Sequence, residues 1–256
     1  MNADGATHTI PGLLKNAFPP LLAGIVLLVA WELAIWYFSL PNFVLPRPGD
    51  IVLAAAEHPH AFLADTGATL LEAVTGYVIG AVLGVGLAVL FVALPVFERT
   101  VMPVYVTFNS VPMIAYGPLA IIWFGIGSMS KIVLILISVS YIVLLNALAG
   151  LRSCDAGTVE LLRTFGASRK EIFRKLRIPS ATPWIFSGLR VAVVQAMILA
   201  VVLEMLGANS GLGWAIYRST QMMDFIEAWV AVAGSVLASL ILYSIVTVVG
   251  RRIAWW

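Results

Sequence analysis

Four ionisable residues, Glu32, Glu72, Arg190 and Glu204, stand inside otherwise apolar runs. At the centre of a bilayer such a group costs roughly 2.5–3.5 kcal/mol, and less near the interfaces. It therefore marks either a polar cavity or a hydrogen bond between helices. Glu32 and Glu204 are the candidates for lining a pathway, with bonding between helices as the competing role. A second group of candidates arises from backbone rather than charge. Pro103, Pro112 and Pro118 punctuate one apolar run, with Asn109, Ser110 and Gly117 between them, so regular helical hydrogen bonds must be missing there. Backbone groups freed at membrane depth are tolerated only against protein or water. Asn109, Ser110 and Pro112 are accordingly pathway candidates, the alternative being a kinked helix that merely fits its neighbours.

Other chemistry is absent. His8, His58 and His60 all lie outside the apolar runs and Cys154 is the single cysteine, which leaves neither an intramembrane histidine–metal site nor an internal disulfide. The chain contains no HExxH, no G-x-S-x-G and no paired-aspartate motif, so a membrane-embedded enzyme would lack its reacting groups. No G-x-x-x-x-G-K-[ST] loop is present to cradle a triphosphate. No catalytic residue, metal or cofactor is assigned to this chain, and no nucleic-acid partner is expected.

The elements that must position these residues follow from composition. With 61% hydrophobic and 11% charged residues and a mean hydropathy of +0.99, the chain needs lipid as its solvent. Six apolar runs, 21–38, 69–94, 101–124, 132–151, 184–206 and 228–249, are long enough to cross a bilayer. The fold class predicted is an all-α integral membrane protein of six transmembrane helices, the first a retained helix rather than a cleaved signal. Residues 1–17 form a polar N-terminal segment and 18–256 one transmembrane domain. The stretch between the fourth and fifth runs holds Arg152, Arg163, Arg169, Lys170, Arg174, Lys175 and Arg177, which places it in the cytoplasm. Both termini then lie on that side too, and only Arg47, Lys131 and Arg218 fall in outer loops. Gly76, Gly80 and Gly84 put three bare positions on one face of the second span, for close packing against another helix.

The loop 151–183 carries the sharpest local pattern. Asp155 or Thr158 caps a first helix whose apolar positions Val159, Leu162 and Phe165 share a face, and Gly166 ends it. Ser168 and Glu171 form a capping box for a second helix, with Ile172, Phe173 and Leu176 as its apolar stripe. Pro179 is expected to stop that helix, and Thr182-Pro183 to restart the chain. Such a basic, amphipathic unit suits a surface of anionic membrane lipid or a groove in a partner protein.

These residues resemble the cytoplasmic signature of permease subunits of binding-protein-dependent ABC importers. The signature reads Glu-Ala-Ala, three residues, Gly, nine residues, then apolar, any, apolar, Pro, and is matched here by Glu160-Leu161-Leu162, Gly166 and Leu176-Arg177-Ile178-Pro179, with leucine in place of both alanines. The flanks LPNFVLPRPGDI, VPMIAYGPLAIIWFGIGSMSK and EMLGANSGLGWAI are similar to the nitrate/sulfonate/taurine branch. The resemblance implies a type I ABC importer permease of the bacterial cytoplasmic (inner) membrane. It implies a homodimer whose interface forms the pathway, two cytosolic ATPase subunits carrying ATP and Mg, and a periplasmic or lipoprotein solute-binding protein. Coupling to the ATPase then falls to Glu160, Arg163, Gly166, Ala167, Ser168 and Arg169. The solute implied is a small anion of the alkanesulfonate, taurine, nitrate or bicarbonate type. The alternatives are an ion-gradient-driven secondary transporter, or the same permease importing a neutral or cationic molecule such as a pyrimidine vitamin precursor.

Overall fold

The computed structural model describes residues 10–253, with side chains from Leu22 onward. Among the described residues all regular structure is helical. Of the polar segment expected over 1–17, residues 1–9 lie outside the described residues and the remainder already belongs to α1, Ile10–Phe38. After it come α2 (Pro48–Glu57), α3 (Pro59–Ala93), α4 (Pro95–Ser110), α5 (Gly117–Phe124) and α6 (Ser128–Arg152). The chain continues through α7 (Ala156–Thr164), α8 (Arg169–Ile172), α9 (Ile178–Leu206), α10 (Leu212–Gln221) and α11 (Phe225–Ile253).

Four elements are long and apolar enough to cross a membrane: α3, α6, the run Arg169–Leu206 that joins α8 to α9, and α11. The described apolar part of α1, Leu22–Phe38, is shorter. Of the two readings of the third run, the broken one holds: α4 and the segment Met113–Phe124 meet at 86° rather than forming one kinked helix. Pro112 explains the break. It has no N–H to donate and pushes Val111 into extended backbone, φ −87°, ψ 133°. A 3₁₀ turn, Met113–Tyr116, then leads into α5.

The core is the layer where α3, α6 and α9 pack. Lipid offers no hydrophobic drive for helix association, so close backbone approach through small residues must supply it. Gly76, Gly80 and Gly84 all face α6. A methyl group at Gly80 would sit 2.7 Å from the Leu136 carbonyl oxygen, and one at Gly84 2.6 Å from that of Ser140. Ile135, Val139 and Val143 of α6 fill the seam without exposure. On the other side of α6, Gly188 meets Asn146 and Gly150 meets Trp184, and a methyl at either glycine would lie only 2.7 Å from the neighbouring side chain. Ala192, Ala196 and Ala200 continue that small-residue face along α9.

Lys131 also departs from expectation. It sits in the first turn of α6, and its Nζ lies 2.8 Å from Glu72 Oε1 of α3, the two side chains only 5% and 3% exposed. Glu72 is thereby a structural ion-pair partner inside the bundle.

Candidate functional site

Two polar constructions stand at opposite ends of the bundle. The first is the loop between α6 and α9. Asp155 caps α7, its carboxylate accepting from Thr158 N at 2.8 Å and from Thr158 Oγ1 at 3.1 Å. The bond from the Thr158 backbone holds the Asp155 pKa below its ordinary value. At the far end of α7, Ala167 N donates to Leu162 O at 3.0 Å and Gly166 N to Arg163 O at 2.9 Å. This paired closure needs a left-handed residue at its turn, and Gly166 supplies it with φ +81°. The capping box forms as predicted: Ser168 N donates to Glu171 Oε2 at 2.9 Å, and Glu171 N to Ser168 Oγ at 3.3 Å. The Ser168 backbone bond likewise lowers the Glu171 pKa.

Two expectations for this loop are corrected. Pro179 does not stop the second helix. From Phe173 to Arg177 the backbone widens into a π turn, in which Ile178 N donates to Phe173 O, five residues back. The helix then passes unbroken into α9, with Pro179 in its first turn. The widened turn just before it accommodates the proline, which has no N–H to donate to the turn behind. Thr182 and Pro183 lie inside α9, with Thr182 Oγ1 bonded back to Ile178 O at 3.0 Å. Second, Phe165 does not share the inward face of Val159 and Leu162. It is 78% exposed, and Leu161, one helical turn before it, is 57% exposed. Two adjacent apolar side chains thus project from a polar segment. Glu160 and Arg163 flank them, paired at 3.5 Å and both largely exposed. Gly166, Ser168 and Arg169 are exposed and Ala167 half-buried.

The second construction seats α10. Glu204 of α9 is fully buried, its Oε2 accepting from Thr69 Oγ1 of α3 at 3.0 Å and from Gly213 N at 2.7 Å. Thr69 Oγ1 in turn accepts from Leu212 N at 2.8 Å, and Asp65 Oδ1 from Gly211 N at 2.9 Å. Three consecutive N–H groups at the start of α10 therefore end on side chains from two other helices, which fills the orphan donors of a helix N-terminus. Gly211, at φ +106°, and Gly213 allow the close approach, since a Cβ at Gly213 would lie 2.7 Å from that of Glu204. Glu204 is withdrawn as a pathway candidate. It performs the competing role, bonding between helices.

The remaining candidates separate. Asn109, Ser110 and Pro112 gather at the break after α4, where Asn109 Nδ2 donates to Tyr105 O at 2.9 Å and Ser110 Oγ to Val106 O at 2.8 Å. Ser110 and Pro112 are exposed. Glu32 lies apart on α1, also exposed. Sequence reasoning missed a polar stripe on α9. Ser187, Arg190 and Gln195 line an open cleft of about 500 Å³ with Val191, Val194 and Tyr243 of α11. The spacing of three to five residues between them was the available signal.

A family model described as "Binding-protein-dependent transport system inner membrane component" matches residues 76–255. The chain belongs to this family. Its members are membrane permease subunits of ABC importers, with the ATPase on a separate chain. A probable ABC transporter permease of Haemophilus influenzae is 31% identical over 92% of this chain and 96% of that protein. The formylaminopyrimidine transport permease ThiX of Halalkalibacterium halodurans is 34% identical over 81% and 82%, and the taurine transport permease TauC of Escherichia coli 27% identical over 91% and 86%. Among solved structures, an inward-facing MetNI methionine ABC transporter aligns with TM-score 0.55 and 25% identity over 74% of this chain and 91% of that one. As a permease of this type, the chain works with an ATPase and a solute-binding protein.

Proposed function

We propose that two copies of this permease enclose a solute pathway, and that α7 is the element through which an ATPase subunit drives it. The exposed pair Leu161 and Phe165 carries this reading. An apolar ridge on an otherwise charged, capped helix is costly to leave in water and suited to a groove. Glu160, Arg163, Gly166, Ala167, Ser168 and Arg169 surround the ridge as the coupling contact. ATP and Mg are held by the ATPase. The 38-residue helix Arg169–Leu206 begins next to α7, so displacement of the loop is passed to a span as a rigid-body shift. In this reading 18–256 is the transmembrane domain, the loop and both termini are cytoplasmic, and Asn109, Ser110, Pro112 and Glu32 border the pathway or the copy-to-copy interface.

For the solute we favour a small anion such as an alkanesulfonate. Arg190 supports it: its Nε bonds within its own helix, to Phe186 O at 3.2 Å, and its cleft also holds Ser187 and Gln195. The identity to ThiX favours a second solute, a pyrimidine vitamin precursor.

Phe165→Asp or Glu160→Lys in proteoliposomes with the ATPase and binding protein tests the coupling. The permease should insert normally while solute-stimulated ATP hydrolysis and uptake fall to background. Unchanged uptake would refute it. Calorimetry of the cognate binding protein decides between the solutes, and tight binding of a neutral or cationic ligand alone would overturn the anion.

A further inference from the structure

The inner side of the coupling loop holds a cleft that shares Arg163 and Arg169 with the coupling contact and adds Arg177 to them. Arg163 of α7, Arg169 of α8 and Arg177 of the π turn converge on one cleft of about 390 Å³, whose remaining walls are Val92, Ala93, Val159, Ile172 and Phe173. Among the described residues Arg169 and Arg177 make no salt bridge, and Arg163 has only its long pair with the exposed Glu160. Glu171 is turned to the capping box and to Lys175, 3.8 Å away. The loop 151–183 as a whole carries seven basic against three acidic residues.

We propose that this cleft binds the phosphoryl headgroup of an acidic phospholipid. Three arginines lining one cleft make it electropositive, and a phosphodiester offers acceptor oxygens that match their forked donors. The apolar walls select a lipid over a free anion. Val92 and Ala93 are the last residues of the membrane helix α3, followed by exposed Leu94 and Val96, so the cleft opens where a bilayer ends and acyl chains begin. A π turn supplies one of the three arginines, and such turns recur at functional sites. The bound lipid would fasten the inner face of the loop to the membrane while Leu161 and Phe165 stay free on the outer face. The proposal does not depend on docking of the ATPase.

The test uses the full-length permease in phosphatidylcholine nanodiscs, titrated with short-chain phosphatidylglycerol and read by native mass spectrometry. One phosphatidylglycerol should be retained per chain and short-chain phosphatidylcholine should not. Arg177→Gln should weaken retention by about tenfold, the usual loss for a charge-assisted bond, and Arg177→Lys by less. Arg251→Gln, a basic change near the end of α11, should leave it unaltered. Ala93→Trp removes no charge but fills the apolar side, and should also abolish retention. Equal displacement by inorganic phosphate would reassign the site to a free anion and overturn the lipid. Equal losses in Arg251→Gln would show diffuse surface charge, and displacement of lipid by added ATPase would show an acidic protein contact instead. Either result overturns the proposal.

Discussion

The two polar ends of the bundle are built on opposite plans. Around α10 the bonds cross between helices, three of them joining segments far apart in sequence: Glu204 to Thr69, Thr69 to Leu212, Asp65 to Gly211, all buried or partly so. In the coupling loop, bonds that shape α7 and α8 span three to five residues and are largely exposed. A buried, cross-linked knot is expensive to open, because each separated group is left unpaired in a low-dielectric interior. A locally capped helix keeps its shape while its position is free to change. The α10 end is tied to its neighbours, and the loop end, which we propose transmits movement, is tied mainly to itself.

Breaking the buried side should give the largest effects. Lys131→Met strands the Glu72 carboxylate and should cost about 3–5 kcal/mol, visible as a loss of detergent-solubilised folded protein. A Glu72→Gln/Lys131→Met double change should recover part of it. Glu204→Ala leaves Gly213 N–H without its acceptor, while Thr69 Oγ1 keeps Asp65 O at 3.2 Å, and should cost about 1–3 kcal/mol, with amide exchange rising at the first turn of α10. On the loop side the effects on stability should be small and those on coupling large. Gly166→Val forces a branched residue into left-handed backbone at about 1–2 kcal/mol. It should leave thermal melting nearly unchanged but abolish solute-stimulated ATP hydrolysis. Ser168→Ala removes one cap, about 1 kcal/mol, raising exchange only around Arg169–Ile172. The smallest effect is acid sensitivity. Asp155 and Glu171 have pKa values lowered from 3.8 and 4.5 in the folded loop, so their caps hold at and above those ordinary values. They are lost only as pH falls through the depressed folded values. Exchange in the loop should therefore rise as pH falls below those ordinary values in wild type, and Asp155→Asn should shrink that rise at α7.

How much of this was legible in the sequence follows the same division. Local patterns translated directly: Asp155, Gly166 and the Ser168–Glu171 box all stand where capping rules put them, and the glycine stripe 76-80-84 found its partner helix. Long-range pairings did not translate. Nothing in one sequence joins Lys131 to Glu72 or Glu204 to Gly213, because these depend on which helices meet and at what height. The prolines were read by rule, and the rule divided. Pro112 broke its span outright, whereas Pro179 was absorbed at a helix start behind a widened turn. Phe165 was placed on one face with Val159 and Leu162 by periodicity alone, but α7 is too short, and ends too near Gly166, for periodicity to decide which apolar residues face the bundle.

The account rests on α7 meeting the ATPase. A benzophenone carried on the cysteine of Phe165→Cys, in a Cys154→Ser background, tests that contact in the assembled transporter. Illumination should give one principal adduct, to the ATPase subunit, that weakens when the ATPase is stripped away. An adduct only to lipid or to the permease itself, or labelling of that cysteine by an impermeant reagent from the outer side of intact cells, would contradict the account.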